Sequence, residues 1–366
     1  MAHTFCALDC IVEMYTHYLT SIIHRLQEAP VPQSNTAPSP QAPATAFPDE
    51  PFVQTDLPAA DGHRVPVYVW RARAPRAVIH IAHGMAEHAQ RYRYLARDMV
   101  QQGYTVVAHD HRGHGPATPD DELGHFADDN GWQRVMEDLG QVQSWIRDTF
   151  ADLPCYLLGH SMGSFIAQSY LTTAKEIEWP AGLILSGSNR DSRLKLQALR
   201  LIVALAARFQ GRHQSSTLVH ALTFGAFAKQ VPHANTDFDW LSTDEAAVKA
   251  YMSDPHCGFD CTNQLWSDLG SGLAGLLKRG RLQRIPARLP ILILSGAQDP
   301  VGEFGRGTRR LASAYRASGH TDVTSLVFEG MRHEPFNERN RSEVLDRLLA
   351  WLARQRPTPH NPQTTQ

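Results

Sequence analysis

The segment Gly159-His160-Ser161-Met162-Gly163 has the pattern G-x-S-x-G. Five residues of this kind can arise by chance, so the flanks carry the argument. The apolar run CYLL (155–158) precedes the motif, and a helical run at 164–174 follows it. A strand, a sharp turn and a helix would hold the Ser161 hydroxyl exposed at the end of the strand. Gly159 and Gly163 would remove side chains that collide with neighbouring backbone. The N–H groups at the start of the helix would favour developing negative charge.

A serine hydroxyl needs a base to attack at neutral pH, and the base needs a carboxylate to orient it. On a strand–turn–helix scaffold the chain order is serine, then acid, then histidine. Asp299 in ILILSGAQDPVG follows a strong strand-like run, and His333 in LVFEGMRHEPFNE follows the next one. Both would reach the carboxyl edge of a parallel sheet, where such sites assemble. Asp299 ranks ahead of Asp191, which follows the preceding strand, and ahead of Glu303, which lies deep in its loop. The chain has 19 histidines, so position rather than presence singles out His333.

Two backbone donors must face the oxygen that becomes negative. One is expected from the N–H of Met162, the residue after the nucleophile. The other is expected from Met85, in the loop His83-Gly84-Met85-Ala86-Glu87-His88 that follows the run at 77–82. His83, Glu87 and His88 are candidate supports for that loop. A rival chemistry lies in His109-Asp110-His111-Arg112-Gly113-His114, where histidines at relative positions 1, 3 and 6 suggest a metal site. Gly113 stands where such a motif would have Asp, and no second ligand cluster accompanies it. Metal catalysis therefore ranks far behind the serine reading. A non-catalytic binding protein on the same scaffold ranks equally far behind, because all three triad positions are filled.

The elements that must position these residues follow from hydrophobic patterning. Strands are expected at 65–70, 77–82, 105–109, 155–158, 182–186, 291–295 and 324–328. Helices are expected at 92–102, 132–150, 164–174, 305–318 and 341–354. The strands are continuous apolar runs, as when helices cover both faces of a sheet. Their alternation with helices predicts an α/β fold with a doubly wound, mostly parallel sheet. Between about 189 and 288 the alternation stops for roughly a hundred residues, too long for a simple crossover. Helical patterns recur there, notably LKLQALRLIVALAARF at 194–209. A helical cap over the sheet explains the interruption. Its first helix would pack on the core or meet lipid.

The 366 residues thus divide into an extension and linker (1–50), a core (51–188 and 289–356), a cap (189–288) and a tail (357–366). Residues 29–48 are rich in Pro, Ala, Ser and Thr and cannot build a core. Residues 5–26 lack the basic start and long apolar centre of a signal peptide, and charges interrupt them too often for a membrane span. The formal net charge of −2 gives no footprint for nucleic acid. Five cysteines without framework spacing are expected to be mostly reduced, with a Cys257–Cys261 bridge left open. The protein is expected in the cytoplasm, with transient membrane contact through the cap or the N-terminal segment left open.

The set HGMAEHAQRYRYLA, DHRGHG, LLGHSMGSFIAQ, LSGAQDPVG and GMRHEPFNE resembles the monoacylglycerol lipase and lysophospholipase group of α/β-hydrolases, related to serine aminopeptidases of the S33 type. The resemblance spans about 52–354. It implies Ser161, Asp299 and His333 as the triad, with Met85 and Met162 as oxyanion donors. It implies hydrolysis of an acyl ester of a glycerolipid through an acyl-enzyme, with no cofactor and no metal. An amidase, peptidase or thioesterase could use the same triad. Ser164 stands where many members carry Gly, and the cap is the part that transfers least.

Overall fold

The computed structural model describes residues 52–175 and 179–355. The expectations for residues 1–50 and 357–366, including Cys6 and Cys10, lie outside the described residues.

Eight strands form one sheet: β1 (Val53–Pro58), β2 (Arg64–Trp70), β3 (Ala77–Ala82), β4 (Tyr104–His109), β5 (Cys155–His160), β6 (Gly182–Ser186), β7 (Ile291–Gly296) and β8 (Val323–Phe328). Their order is β1-β2-β4-β3-β5-β6-β7-β8. β4 through β8 pair in parallel, while β1 and β2 add an antiparallel edge. The continuous apolar runs divide by alternation between two faces. Leu157, Leu183, Leu185, Ile291 and Ile293 pack on one side with α2 (Gly131–Thr149), α3 (Met162–Leu171) and α9 (Arg306–Ala317). Leu158, Ile184, Leu292 and Leu294 pack on the other with α1 (Arg93–Gln101) and α10 (Arg341–Arg354). A strand covered on both faces needs apolar residues at every position, hence no period of two in the sequence.

Between β6 and β7 the chain forms α4 (Arg193–Gln210), α5 (Thr217–Leu222), α6 (Phe224–Ala228), α7 (Glu245–Ser253) and α8 (Asn263–Leu276). Local signals start four of them. The Ser192, Ser216, Asp244 and Thr262 side chains accept the N–H groups of Lys195, Val219, Ala246 and Leu265, capping otherwise unpaired donors. Val203, Ala206, Val219, Leu265, Trp266 and Leu269 from this insertion share an apolar cluster with Met162, Phe165 and Tyr170 of α3. The insertion is thus fastened to the helix that follows Ser161. No helix among the described residues is long and apolar enough to cross a membrane.

Candidate active site

The parallel strands deliver the predicted residues to one edge. Ser161 follows β5 directly, Met85 follows β3, Asp299 follows β7 and His333 follows β8. Ser161 has φ 48° and ψ −117°, a left-handed region that costs a non-glycine residue of order 1–3 kcal/mol. The turn needs glycine on either side. A Cβ on Gly163 would lie 2.2 Å from the Ala82 carbonyl oxygen, and one on Gly159 would lie 2.6 Å from the Gly163 carbonyl oxygen. Ser164 fits this crowding and ties it down, its hydroxyl standing 2.6 Å from the Ser161 carbonyl and 2.8 Å from Ser188 Oγ.

His333 Nδ1 donates to Asp299 Oδ1 at 3.1 Å, with both side chains buried. Asp299 also accepts from Ser295 Oγ at 2.8 Å and from the Val301 N–H at 2.9 Å. Burial alone would raise the Asp299 carboxyl. The His333 charge and these hydrogen bonds outweigh it and hold Asp299 below the usual carboxylate range. Burial alone would likewise lower His333, but the Asp299 carboxylate outweighs it and raises the imidazole above its usual pKa. With an ionised partner on Nδ1, neutral His333 keeps its proton there and its lone pair on Nε2, the tautomer a general base requires. The His333 ring lies 4.9 Å from that of His160, the neighbour of Ser161, and 5.2 Å from that of Trp240. The three residues predicted as nucleophile, base and acid are therefore gathered at one place.

The rival acids are engaged elsewhere. Glu303 pairs with Lys195 at 2.8 Å and with Arg310 at 3.0 Å. Asp191 lies against Glu303 and Lys195, and burial raises its carboxyl.

The loop carrying Met85 lies beside the elbow, since a Cβ on Gly84 would stand 3.4 Å from Ser161 Cβ. As first residue of α3, Met162 has an N–H without a partner inside the helix. His83 and Glu87 support the loop. His83 Nε2 accepts the His111 N–H at 3.0 Å, so its Nδ1 donates to the Gly84 carbonyl at 2.7 Å. Glu87 accepts the Gly84 N–H at 2.5 Å and the Tyr92 hydroxyl at 2.9 Å. His88 meets Asp254 of the insertion at 3.0 Å.

The residues hidden from sequence reading are Arg91 and Glu334. Arg91 pairs with Glu87 and makes a two-pronged contact with Glu334, at 2.8 and 2.9 Å. Burial would raise Glu334, but the Arg91 charge outweighs it and holds the carboxyl at about 2. A buried ionic chain thus joins the Met85 loop to the residue after His333. The insertion holds the same segment. The His333 and Glu334 N–H groups donate to the carbonyls of Trp240 and Leu241 at 3.3 and 2.8 Å.

The histidine-rich motif serves this scaffold. His109 Nδ1 accepts from His80 Nε2 at 2.9 Å, His111 Nε2 donates to the His83 carbonyl at 3.1 Å, and His114 Nδ1 donates to the Arg112 carbonyl at 2.9 Å. Asp110 accepts from the Tyr68 hydroxyl and the Ala89 N–H. One nitrogen of each ring is spent on a separate bond, and the three rings do not form a ligand cluster around one point among the described residues. Cys155, Cys257 and Cys261 are free thiols.

Comparison with known proteins agrees with this arrangement. The family model described as "Serine aminopeptidase, S33" matches residues 73–340. A monoacylglycerol lipase of Mycolicibacterium smegmatis is 29% identical over 294 residues, covering 80% of this chain and 93% of the relative. Phospholipase YtpA of Bacillus subtilis is 36% identical over 297 residues, covering 78% and 98%. A thermostable carboxyl esterase from Bacillus coagulans, solved with glycerol, superposes with a TM-score of 0.74 at 26% identity, covering 82% and 98%.

Proposed function

Given that the chain belongs to the serine aminopeptidase S33 family of α/β-hydrolases, we propose that it is a carboxylic ester hydrolase acting on glycerolipids, monoacylglycerols or lysophospholipids, with Ser161, Asp299 and His333 as its triad. The observation that carries this reading is the buried Asp299–His333 pair beside the strained Ser161 elbow. His333 Nε2 takes the Ser161 proton as Oγ attacks the ester carbonyl. The Met85 and Met162 N–H groups hold the oxyanion. The His333 imidazolium then protonates the leaving alcohol. In the second half, His333 removes a proton from water, which attacks the acyl-enzyme and releases the fatty acid. Asp299 steadies the imidazolium and does not itself take the proton.

Two features support a lipid-like substrate. The insertion serves as a cap, and its apolar side chains meet Met162 and Phe165 next to the nucleophile. On its outer surface, α4 exposes Leu194, Leu201, Leu205 and Phe209, spaced by seven, four and four residues along one helix face. Arg193, Lys195, Arg200 and Arg208 are exposed on the same helix. An apolar stripe among cations suits transient docking on an anionic lipid surface. The relatives' names point the same way, to a monoacylglycerol lipase and a phospholipase.

The test is labelling by a fluorophosphonate probe, then turnover of monoacylglycerols, lysophospholipids, p-nitrophenyl esters and aminoacyl anilides. Wild-type protein is labelled and Ser161→Ala is not. Glycerolipid esters turn over faster than anilides. Anilides as the better substrates would move the reaction to amides, and labelling that survives in Ser161→Ala would remove the nucleophile.

A further inference from the structure

A second group of side chains meets away from the triad, where the loop before α2 touches the segment after α4. His125 and Asp128 come from the loop, and His213 lies just beyond the end of α4. We infer that His125, Asp128 and His213 form a divalent-cation site, suited to Zn2+, that ties the inserted helices to the core.

Three possible ligand atoms come together there. The two rings stack with centroids 4.3 Å apart and planes 21° apart. Their Nε2 atoms aim at the same oxygen, Asp128 Oδ1, at 3.3 Å from His125 and 2.8 Å from His213. All three ligand atoms lie within 4.8 Å of one another. Zn2+ bound at about 2.0–2.2 Å in a tetrahedron sets neighbouring ligand atoms roughly 3.3–3.5 Å apart.

Counting hydrogens shows why a cation belongs there. Thr262 Oγ1 donates its one hydrogen to the Gly124 carbonyl at 2.9 Å. Toward His125 Nδ1, at 3.2 Å, it therefore acts as acceptor, and Nδ1 carries the ring proton. Neutral His125 then presents its bare Nε2 lone pair to a carboxylate oxygen. That nitrogen is buried without a hydrogen-bond partner. A cation turns two opposed acceptors into two ligands, and Thr262 becomes the outer partner that fixes the tautomer of a metal-bound histidine. Arg212 engages the Asp128 carbonyl, the Asp129 carboxylate and Gln264. Among the described residues, the ion-pair partners of the Asp128 carboxylate are the two histidines. Asp128 and His213 are exposed, which leaves a fourth position to water.

The experiment uses the full chain after chelator treatment, titrated with Zn2+, Co2+ and Mg2+. Expected are one equivalent of Zn2+ lost in His213→Ala, a visible Co2+ spectrum of tetrahedral type, and a rise in Tm with Zn2+ but not Mg2+. His213→Ala and Asp128→Asn, both at exposed positions, lose at least about tenfold in Zn2+ affinity while keeping the metal-free Tm. Equal Zn2+ binding by wild type and both variants would place the ion elsewhere and overturn the site. Absence of any Zn2+-dependent Tm shift in the wild type would overturn it as well.

Discussion

The residue whose chemistry is most constrained is His333. In its proposed role of general base it must be neutral, and Asp299 raises its pKa above the ordinary 6.5. Activity is therefore lost as pH falls through that raised value, and the acid limb of kcat/KM for the free enzyme should lie above about pH 6.5. Asp299→Asn removes the charge that raises the pKa, so the limb should move to lower pH. The same change favours the wrong tautomer, and kcat should fall by about ten-thousand-fold in a folded protein. A pH–rate series on both proteins measures this; an unmoved limb would separate Asp299 from the base. The stability linkage has the opposite sense. The raised pKa of His333 favours the folded state fully below its unfolded value, and that contribution is lost as pH rises through the native one. That Ser161, Asp299 and His333 would meet at one edge of the sheet was legible in the sequence because each follows an apolar strand run. The Arg91–Glu334 contact was not, because it joins residues 243 apart, each inside a different motif.

At the level of elements, the Glu87–Arg91–Glu334 chain joins the loop after β3 to the loop after β8. Its charges are out of water, so removing the middle one leaves two buried carboxylates unpaired. Arg91→Ala should cost about 3–5 kcal/mol, while Arg91→Lys should lose the two-pronged contact but keep the charge. Urea unfolding of the two variants checks the order, and equal midpoints would show that charge is not what Arg91 supplies. The α4 stripe gives a different prediction. Leu201→Glu with Leu205→Glu should abolish sedimentation with anionic vesicles and leave turnover of a soluble ester within about twofold. Vesicle binding that survives would locate lipid contact elsewhere. Helix and strand positions were largely readable, with ends shifting by up to three residues. β1 escaped because VQTDLP is a half-exposed edge strand without an apolar run. The short helices α5 and α6 escaped as individual elements because one or two turns leave little periodicity to detect.

Across the whole molecule, the buried histidines set a limit on acid tolerance. Burial lowers His83, His109 and His111 well below 6.5, and takes His80 to about 3 and His114 and His160 to about 4. The unfolded chain binds protons first as pH falls through 6.5, so stability drops from there toward the native values. Each such histidine contributes roughly 1.4 kcal/mol per pH unit in that window. The urea midpoint should fall steeply from about pH 6.5 toward about pH 5; a constant midpoint would show that these rings are already charged in the fold. The overall architecture was readable because two-sided burial writes itself as apolar runs, whereas the backbone hydrogen bonds from the insertion to the segment of His333 are joints that no pattern announces. One such joint has a practical meaning. Trp240 and Leu241 hold the backbone of His333 and Glu334. Exchanging the 189–288 segment for that of another enzyme, to alter which esters are accepted, would also replace the mount of the imidazole. Specificity and rate are not separate modules in this chain, and a graft that ends before Asp239 or begins after Thr243 keeps the mount.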